Sequence, residues 1–171
     1  MNAAPLILTL RMDTPSFERF DSERRRFFPP ERNLIPAHVT LFHALPGEQE
    51  PMIVRHLADL AGQMDRFAFT ASSLRSLGRG VAYEIDSPPL LAMRRALSVE
   101  WGRWLTPQDA QGYRPHVTVQ NKVAPDEARA LLRTLRASFQ PFEGTGTGLL
   151  LWRYRGGPWE RAGSFGFAEP A

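Results

Sequence analysis

Residues 36–42 read PAHVTLF, and residues 115–120 read PHVTVQ. Each stretch carries a histidine followed two positions later by a threonine: His38 with Thr40, and His116 with Thr118. Because side chains alternate along a strand, the histidine and the threonine of each stretch share one face, and the aliphatic residues occupy the other. Both stretches therefore predict strands that pack on a core through one face and present a His-x-Thr pair on the other.

The surroundings of the two pairs repeat as well. The 78-residue offset between His38 and His116 also relates two further pairs of segments, 49–62 with 127–140 and 74–78 with 152–156. With four histidines in the chain, two chance His-x-Thr pairs would arise on the order of 1% of the time. We therefore predict a duplicated strand-helix-strand-helix-strand unit, at roughly residues 5–78 and 80–156.

The duplication predicts an α+β fold in a single domain, residues 1–171. Two units packed with pseudo-two-fold symmetry would form two lobes whose antiparallel sheets line a central cleft, and both His-x-Thr pairs would face that cleft. Hydrophobic periodicity predicts strands at 6–12, 38–45, 67–77, 81–86, 116–122, 149–155 and 159–167, and helices that begin near residues 14, 49, 88 and 125.

Composition excludes several classes of protein. The 171 residues are 43% hydrophobic and 23% charged, which is typical of a globular domain. Cysteine is absent, so disulfides, thiol catalysis and Cys-ligated metals are excluded. The apolar segment 3–10 is too short to span a bilayer and follows no basic residues, so we expect a cytoplasmic protein with no membrane partner. As a separate expectation, we take the protein to be a monomer. The net charge of +3, carried almost wholly by arginine, is compatible with an anionic substrate.

The paired His-x-Thr strands resemble those of the two-histidine (2H) phosphoesterases, and the resemblance spans nearly the whole chain. PAHVTLF and YRPHVTV look most like the branch that contains bacterial 2′-5′ RNA ligases and cyclic phosphodiesterases. This resemblance implies an enzyme that cleaves or forms 2′-linked phosphodiesters without a metal or other cofactor, commonly by opening a 2′,3′-cyclic phosphate. The implied substrates are RNA ends or small cyclic nucleotides. The implied roles are His38 as acid to the leaving oxygen and His116 as base toward water, with the roles exchanged in ligation.

The residue types suit this chemistry on their own account. Histidine titrates near neutral pH, so one neutral ring can activate water while one protonated ring protonates the leaving ribose oxygen. Thr40 and Thr118 can donate hydrogen bonds to the non-bridging phosphate oxygens, whose negative charge grows in the transition state. We therefore predict His38, Thr40, His116 and Thr118 as the catalytic residues.

Three further residues are candidates for substrate binding. Phe42 and Gln120 each follow a motif threonine by two positions, so a regular strand would put them at the cleft edge. Arg153, which the duplication relates to Arg75, falls near a strand end that could flank the phosphate.

Other polar features are predicted to be structural. His43 has an odd offset from His38 and should face away from the cleft, and His56 lies on a predicted helix. That geometry argues against a histidine metal site. The segment 144–148, GTGTG, enters an apolar strand, which indicates a flexible or bulged strand start and not a phosphate loop. Residues 24–26, all arginine, suit the negative end of a helix dipole.

Two alternatives remain open at this point. One is a module that binds RNA ends with little or no turnover, although binding alone would not require two titrating groups. The other keeps the chemistry but changes the substrate to a small cyclic sugar-phosphate. The sequence does not determine the substrate's length or base, the direction of the reaction, or the oligomeric state.

Overall fold

The computed structural model describes residues 3–169, which contain five α-helices and seven strands. In chain order these are β1 (Leu6–Met12), α1 (Thr14–Phe27), β2 (Thr40–Leu45), α2 (Glu50–Gly62), β3 (Phe67–Ser76), β4 (Val81–Asp86), α3 (Pro88–Glu100), α4 (Pro107–Ala110), β5 (His116–Gln120), α5 (Pro125–Ser138), β6 (Phe142–Arg153) and β7 (Glu160–Gly166). Most predicted elements are confirmed within a few residues. None of the helices in this range is long and apolar enough to cross a membrane.

The strands of residues 3–169 form one antiparallel sheet in the order β2-β1-β6-β3-β4-β5, with β7 also paired to β6. The α+β class and the antiparallel pairing are confirmed. The predicted duplication relates β1 to β4, β2 to β5 and β3 to β6. If each strand is replaced by its related strand, the same order is obtained in reverse. Each half of the sheet takes two strands from one unit and its third strand from the other. If the predicted units are taken as the repeats, they are interwoven through their third strands.

β6 joins the two halves of the sheet. Its first residues pair with β3, and its later residues pair with β1 on one side and β7 on the other. The ladder with β1 slips by one residue at Thr147, a β-bulge where the strand changes partners. A Cβ on Gly146 would lie 2.7 Å from the ring of Phe67, so this position needs a glycine. The predicted bulge at 144–148 therefore lies inside a strand that begins earlier than residue 149.

The sheet buries one face and leaves the other concave. On β1, Leu6, Leu8 and Leu10 are at most 2% exposed and pack in the core with Leu149 and Leu151 of β6. Burial of each such side chain contributes about 1.5–3 kcal/mol. The intervening residues point to the opposite, concave face, where the cavities described below open.

The sheet curls enough to bring residues of its two edge strands to the same cavity. β2 and β5 are at opposite ends of the strand order, yet residues from both line one cavity. Edge strands leave backbone groups unpaired, and here each half of the sheet satisfies a carbonyl of the other. The hydroxyl of Tyr113 donates to the carbonyl oxygen of Thr40 at 2.9 Å, and Nη1 of Arg24 donates to that of Thr118 at 2.9 Å. The motif strands are thus held together across the cleft.

Candidate active site

Both His-x-Thr pairs line a single cavity of about 370 Å³ on the concave face. Its walls are formed by Ile7, His38, Thr40, His43, His116, Thr118, Tyr154 and Trp159. The two histidines come from opposite ends of the sheet, and the curl of the sheet brings them together. The two pairs therefore bring two titrating rings and two threonine hydroxyl groups to one cavity, where they can supply acid, base and hydrogen-bond donors.

The two rings are oriented in the same way. Nδ1 of His38 lies 2.8 Å from the carbonyl oxygen of Pro36, and Nδ1 of His116 lies 2.9 Å from that of Arg114. In each case the carbonyl, two residues upstream, can only accept, so Nδ1 carries a proton and donates. A neutral ring then has its lone pair on Nε2, the nitrogen that exchanges protons with a ligand.

Burial makes both rings less basic than an exposed histidine. It lowers the pKa of His38 to about 4, and the positive charge of Arg24 acts in the same direction while the Pro36 carbonyl opposes it. Burial also lowers the pKa of His116, and Arg75 adds to that effect. Part of each ring stays open to the cavity, so an incoming anionic group could raise both values. Without ligand, both rings are predominantly neutral at pH 7.

Phe42 and Gln120 do not face the cleft, so the prediction that they bind substrate at its edge is wrong. Phe42 is fully buried against Trp101, with ring centroids 5.4 Å apart, and Gln120 is only 3% exposed. The cause is a β-bulge directly after each motif threonine, because Leu41 and Val119 are extra residues in the ladders of β2 and β5. Each bulge breaks the alternation, so the residue two positions after the threonine turns into the core.

The same irregularity brings His43 into the cavity, although a regular strand would turn it away. Its Nδ1 lies 3.0 Å from Oδ1 of Asp109, whose side chain is fully buried. A buried carboxylate that accepts from Nδ1 fixes the ring and leaves Nε2 free. No group of three potential metal ligands converges among residues 3–169, so the three histidines do not form a metal-binding cluster there.

Asp109 also supports the backbone at this point. A second register shift in β2 lies between Phe42 and Leu45, and the carboxylate accepts the N–H groups of His43, at 2.8 Å, and Ala44, at 2.9 Å. The side-chain bond from His43, together with these two backbone bonds, outweighs burial and holds the pKa of Asp109 below its ordinary value. No motif in the sequence points to this aspartate, because it lies on the short helix α4, 66 residues from its partner.

Arg153 does not reach the cavity, which corrects the prediction that it binds substrate. Its Nε and Nη2 donate to the carboxylate of Glu50, and Nη1 lies 3.1 Å from Glu160. The related residue Arg75 lies nearer: it pairs with Glu84 at 3.4 Å and lines a polar cavity next to His116, together with Arg114. The duplication therefore relates two arginines with different neighbours.

The residues predicted to be structural otherwise behave as such. Arg24 is buried and holds Thr118 as described above, and Arg25 pairs with Asp21 at 2.5 Å. Nδ1 of His56 accepts a hydrogen bond from Nε1 of Trp101 at 2.9 Å.

Comparisons with known proteins agree with this architecture. The family model of the 2′-5′ RNA ligase superfamily matches residues 12–158. Among solved structures, TT0787 of Thermus thermophilus superposes with a TM-score of 0.67 at 16% identity, covering 98% of this chain and 100% of that one. E. coli LigT in its apo form gives 0.65 at 16% identity, covering 98% and 99%. LigT complexed with 3′-AMP gives 0.63 at 16% identity, covering 96% and 98%. No curated protein sequence matches. A family match over most of the chain and two His-x-Thr pairs in one cavity lead to one conclusion: the chain belongs to the 2′-5′ RNA ligase superfamily of 2H phosphoesterases.

Proposed function

We propose that this chain is a cyclic phosphodiesterase that opens 2′,3′-cyclic phosphates on RNA ends or small nucleotides, without a metal. The same chemistry run on other substrates would cleave or form 2′-5′ phosphodiester bonds. The observation that carries the proposal is the convergence of His38, Thr40, His116 and Thr118 on one cavity. LigT, which shares this fold, has been crystallised with 3′-AMP, and a nucleotide bound to that protein supports the same class of substrate here.

The proposed reaction is a displacement at phosphorus. Water attacks the cyclic phosphate and gives one proton to the basic histidine, while the bond from phosphorus to one ribose oxygen breaks. The acidic histidine gives a proton to that oxygen, so the product is a 2′- or 3′-monophosphate. The hydroxyl groups of Thr40 and Thr118 would donate to the non-bridging oxygens as their charge grows.

The order of the two pKa values bears on which histidine is the acid. The family resemblance assigns His38 as acid, but burial lowers the pKa of His38 to about 4, and the shift of His116 is smaller. The ring with the higher pKa holds its proton better at neutral pH. We therefore propose His116 as the acid and His38 as the base in hydrolysis.

The test of the function is turnover of 2′,3′-cyclic nucleotides and of RNA with a cyclic-phosphate end. We expect hydrolysis that persists in EDTA, and a loss on the order of 10²-fold or more in kcat for His38→Ala and for His116→Ala. The double variant should lose far less than the product of the single losses, because the pair acts as a unit. If EDTA abolishes turnover and a divalent cation restores it, the proposed mechanism is wrong. Near-normal rates in the single variants would favour the binding-module alternative.

A second substrate separates the two roles. A p-nitrophenyl phosphodiester has a leaving group that needs little protonation, so the variant that lacks the acid should lose much less on it than on the cyclic phosphate. We expect this relief for His116→Ala and not for His38→Ala. Relief in His38→Ala alone would restore the assignment given by the family resemblance.

A further inference from the structure

A second cavity of about 210 Å³ opens beside the first, on the side of His38. The two cavities share His38 and Trp159. The walls of the second are mainly apolar, with Met12, Phe17, Leu150 and Trp152 among them. On the side of His116, by contrast, the cleft continues into a cavity lined by polar and charged groups. The cleft is therefore chemically asymmetric about the two histidines.

Tryptophan rings form the wall that runs from the reacting centre into the apolar cavity. The ring of Trp159 lies 4.8 Å from that of His38, and 6.0 Å from that of Trp152. Both tryptophans are only partly buried, so their rings are accessible from the cavity. Aromatic rings at the mouth of a cavity offer flat surfaces to a planar ligand.

An arginine without a carboxylate partner lies at the same cavity. The guanidinium of Arg161 stacks 4.5 Å from the ring of Trp152 and is exposed. It takes part in none of the side-chain hydrogen bonds or ion pairs formed within residues 3–169, whereas the guanidinium of Arg153 is held by Glu50 and Glu160. The cavity thus combines aromatic surface with a cation that is free to meet an anionic or carbonyl-bearing ligand.

We propose that this cavity, defined by Phe17, Trp152, Trp159 and Arg161, holds a nucleobase of the substrate. The inference rests on the proposed function for the position of the phosphate, between His38 and His116. A base joined to that phosphate through its ribose would stack on Trp159 and Trp152. Stacking accepts every base, because each has a π-face, so the site should favour nucleotides over sugar-phosphates without strong preference among the four bases.

The experiment measures binding, so it does not depend on turnover. Dissociation constants are determined for adenosine 3′-phosphate and for the same sugar-phosphate with a methoxy group in place of the base, by calorimetry or tryptophan fluorescence. We expect the protein to bind the nucleotide at least about 10-fold more tightly, the scale of one stacked base. Trp159→Leu should remove most of that difference and change the affinity for the base-less compound far less. Trp104→Leu, a matched change at a half-buried tryptophan outside these cavities, should preserve it.

Two results would overturn the inference. One is equal affinity of the protein for the two compounds. The other is unchanged discrimination in Trp159→Leu when its thermal melt shows an intact fold. Phe17→Leu gives a second measurement on α1 and should also reduce the discrimination, which covers the case in which Trp159→Leu fails to fold. Absence of hydrolysis together with base-dependent binding would refute the proposed function and leave the base site standing.

Discussion

At the scale of single residues, the lowered pKa values of His38 and His116, the proposed acid-base pair, determine the expected pH dependence of the reaction. The base must be neutral and the acid protonated, so kcat/KM should rise through the lower pKa and fall through the higher one. Two histidines with ordinary pKa values would give an optimum between about pH 5 and 8. Because burial lowers the pKa of His38 to about 4 and the pKa of His116 below its ordinary value, we expect the optimum below pH 6.5. Measuring kcat/KM from pH 3.5 to 8 tests this, and an optimum above pH 7 would contradict it.

The charge of Asp109 makes the stability of the fold depend on pH. Its folded-state pKa is depressed, so its stabilising effect is present above its unfolded pKa and is lost as pH falls through the folded value. Asp109→Asn leaves the N–H groups of His43 and Ala44 with a poorer acceptor, and we expect a loss of about 1–3 kcal/mol in the free energy of unfolding at pH 7.

The difference between Asp109→Asn and the unchanged protein should shrink toward pH 3. Urea titrations at pH 7, 5 and 3 measure it, and a constant difference would show that the charge of Asp109 is not what stabilises the bulge. His43→Phe is the companion variant: it removes the side-chain hydrogen bond to the same buried carboxylate, so it should also lower the free energy of unfolding at pH 7.

At the scale of elements, the glycines of β6 are required by close packing. Gly146→Ala would bring a methyl group to 2.7 Å from Phe67 and 3.2 Å from Leu10. Overpacking of this kind costs about 1–3 kcal/mol, which should appear as a lower melting temperature. Gly62→Ala is the control, since nothing lies within 4 Å of its added methyl and it ends helix α2. Equal melting temperatures for the two variants would mean that β6 and its neighbours accommodate the added methyl group without a loss of stability.

The elements were largely predictable from the sequence, and the bulges were not. Alternation and helix-start signals identified the order of strands and helices because each element carries several apolar residues at one spacing. A bulge adds one residue to a strand, and every residue after it then lies on the opposite face from the one that simple alternation predicts. One added residue leaves almost no trace in the composition of the strand. The adjacent apolar pair Leu41 and Phe42, both fully buried, was the one available signal. Val119 and Gln120 offered none, so the facing of Gln120 could not be inferred.

At the scale of the whole molecule, ion pairs with carboxylates reduce the number of arginines whose positive charge is available to a substrate. Several arginines, Arg153 among them, are engaged by carboxylates, whereas Arg161 at the cleft is not. For RNA with a cyclic-phosphate end, the slope of log K against log salt should be steeper than for a cyclic mononucleotide by about 0.7 for each additional phosphate contact. Arg161→Ala should flatten the slope for RNA, and Arg153→Ala should leave it unchanged. Equal slopes for the two substrates would argue against an extended RNA footprint.

A ribosome delivers both ends of this sheet before it delivers the centre. β1 and β2 emerge first, then β3, β4 and β5, while β6, which pairs with both β1 and β3, is complete only at Arg153. Until then the inner edges of β1 and β3 have no partner, and such edges are prone to pair with other chains. Nascent chains that stall before β6 should therefore be the form of this protein that depends most on chaperones.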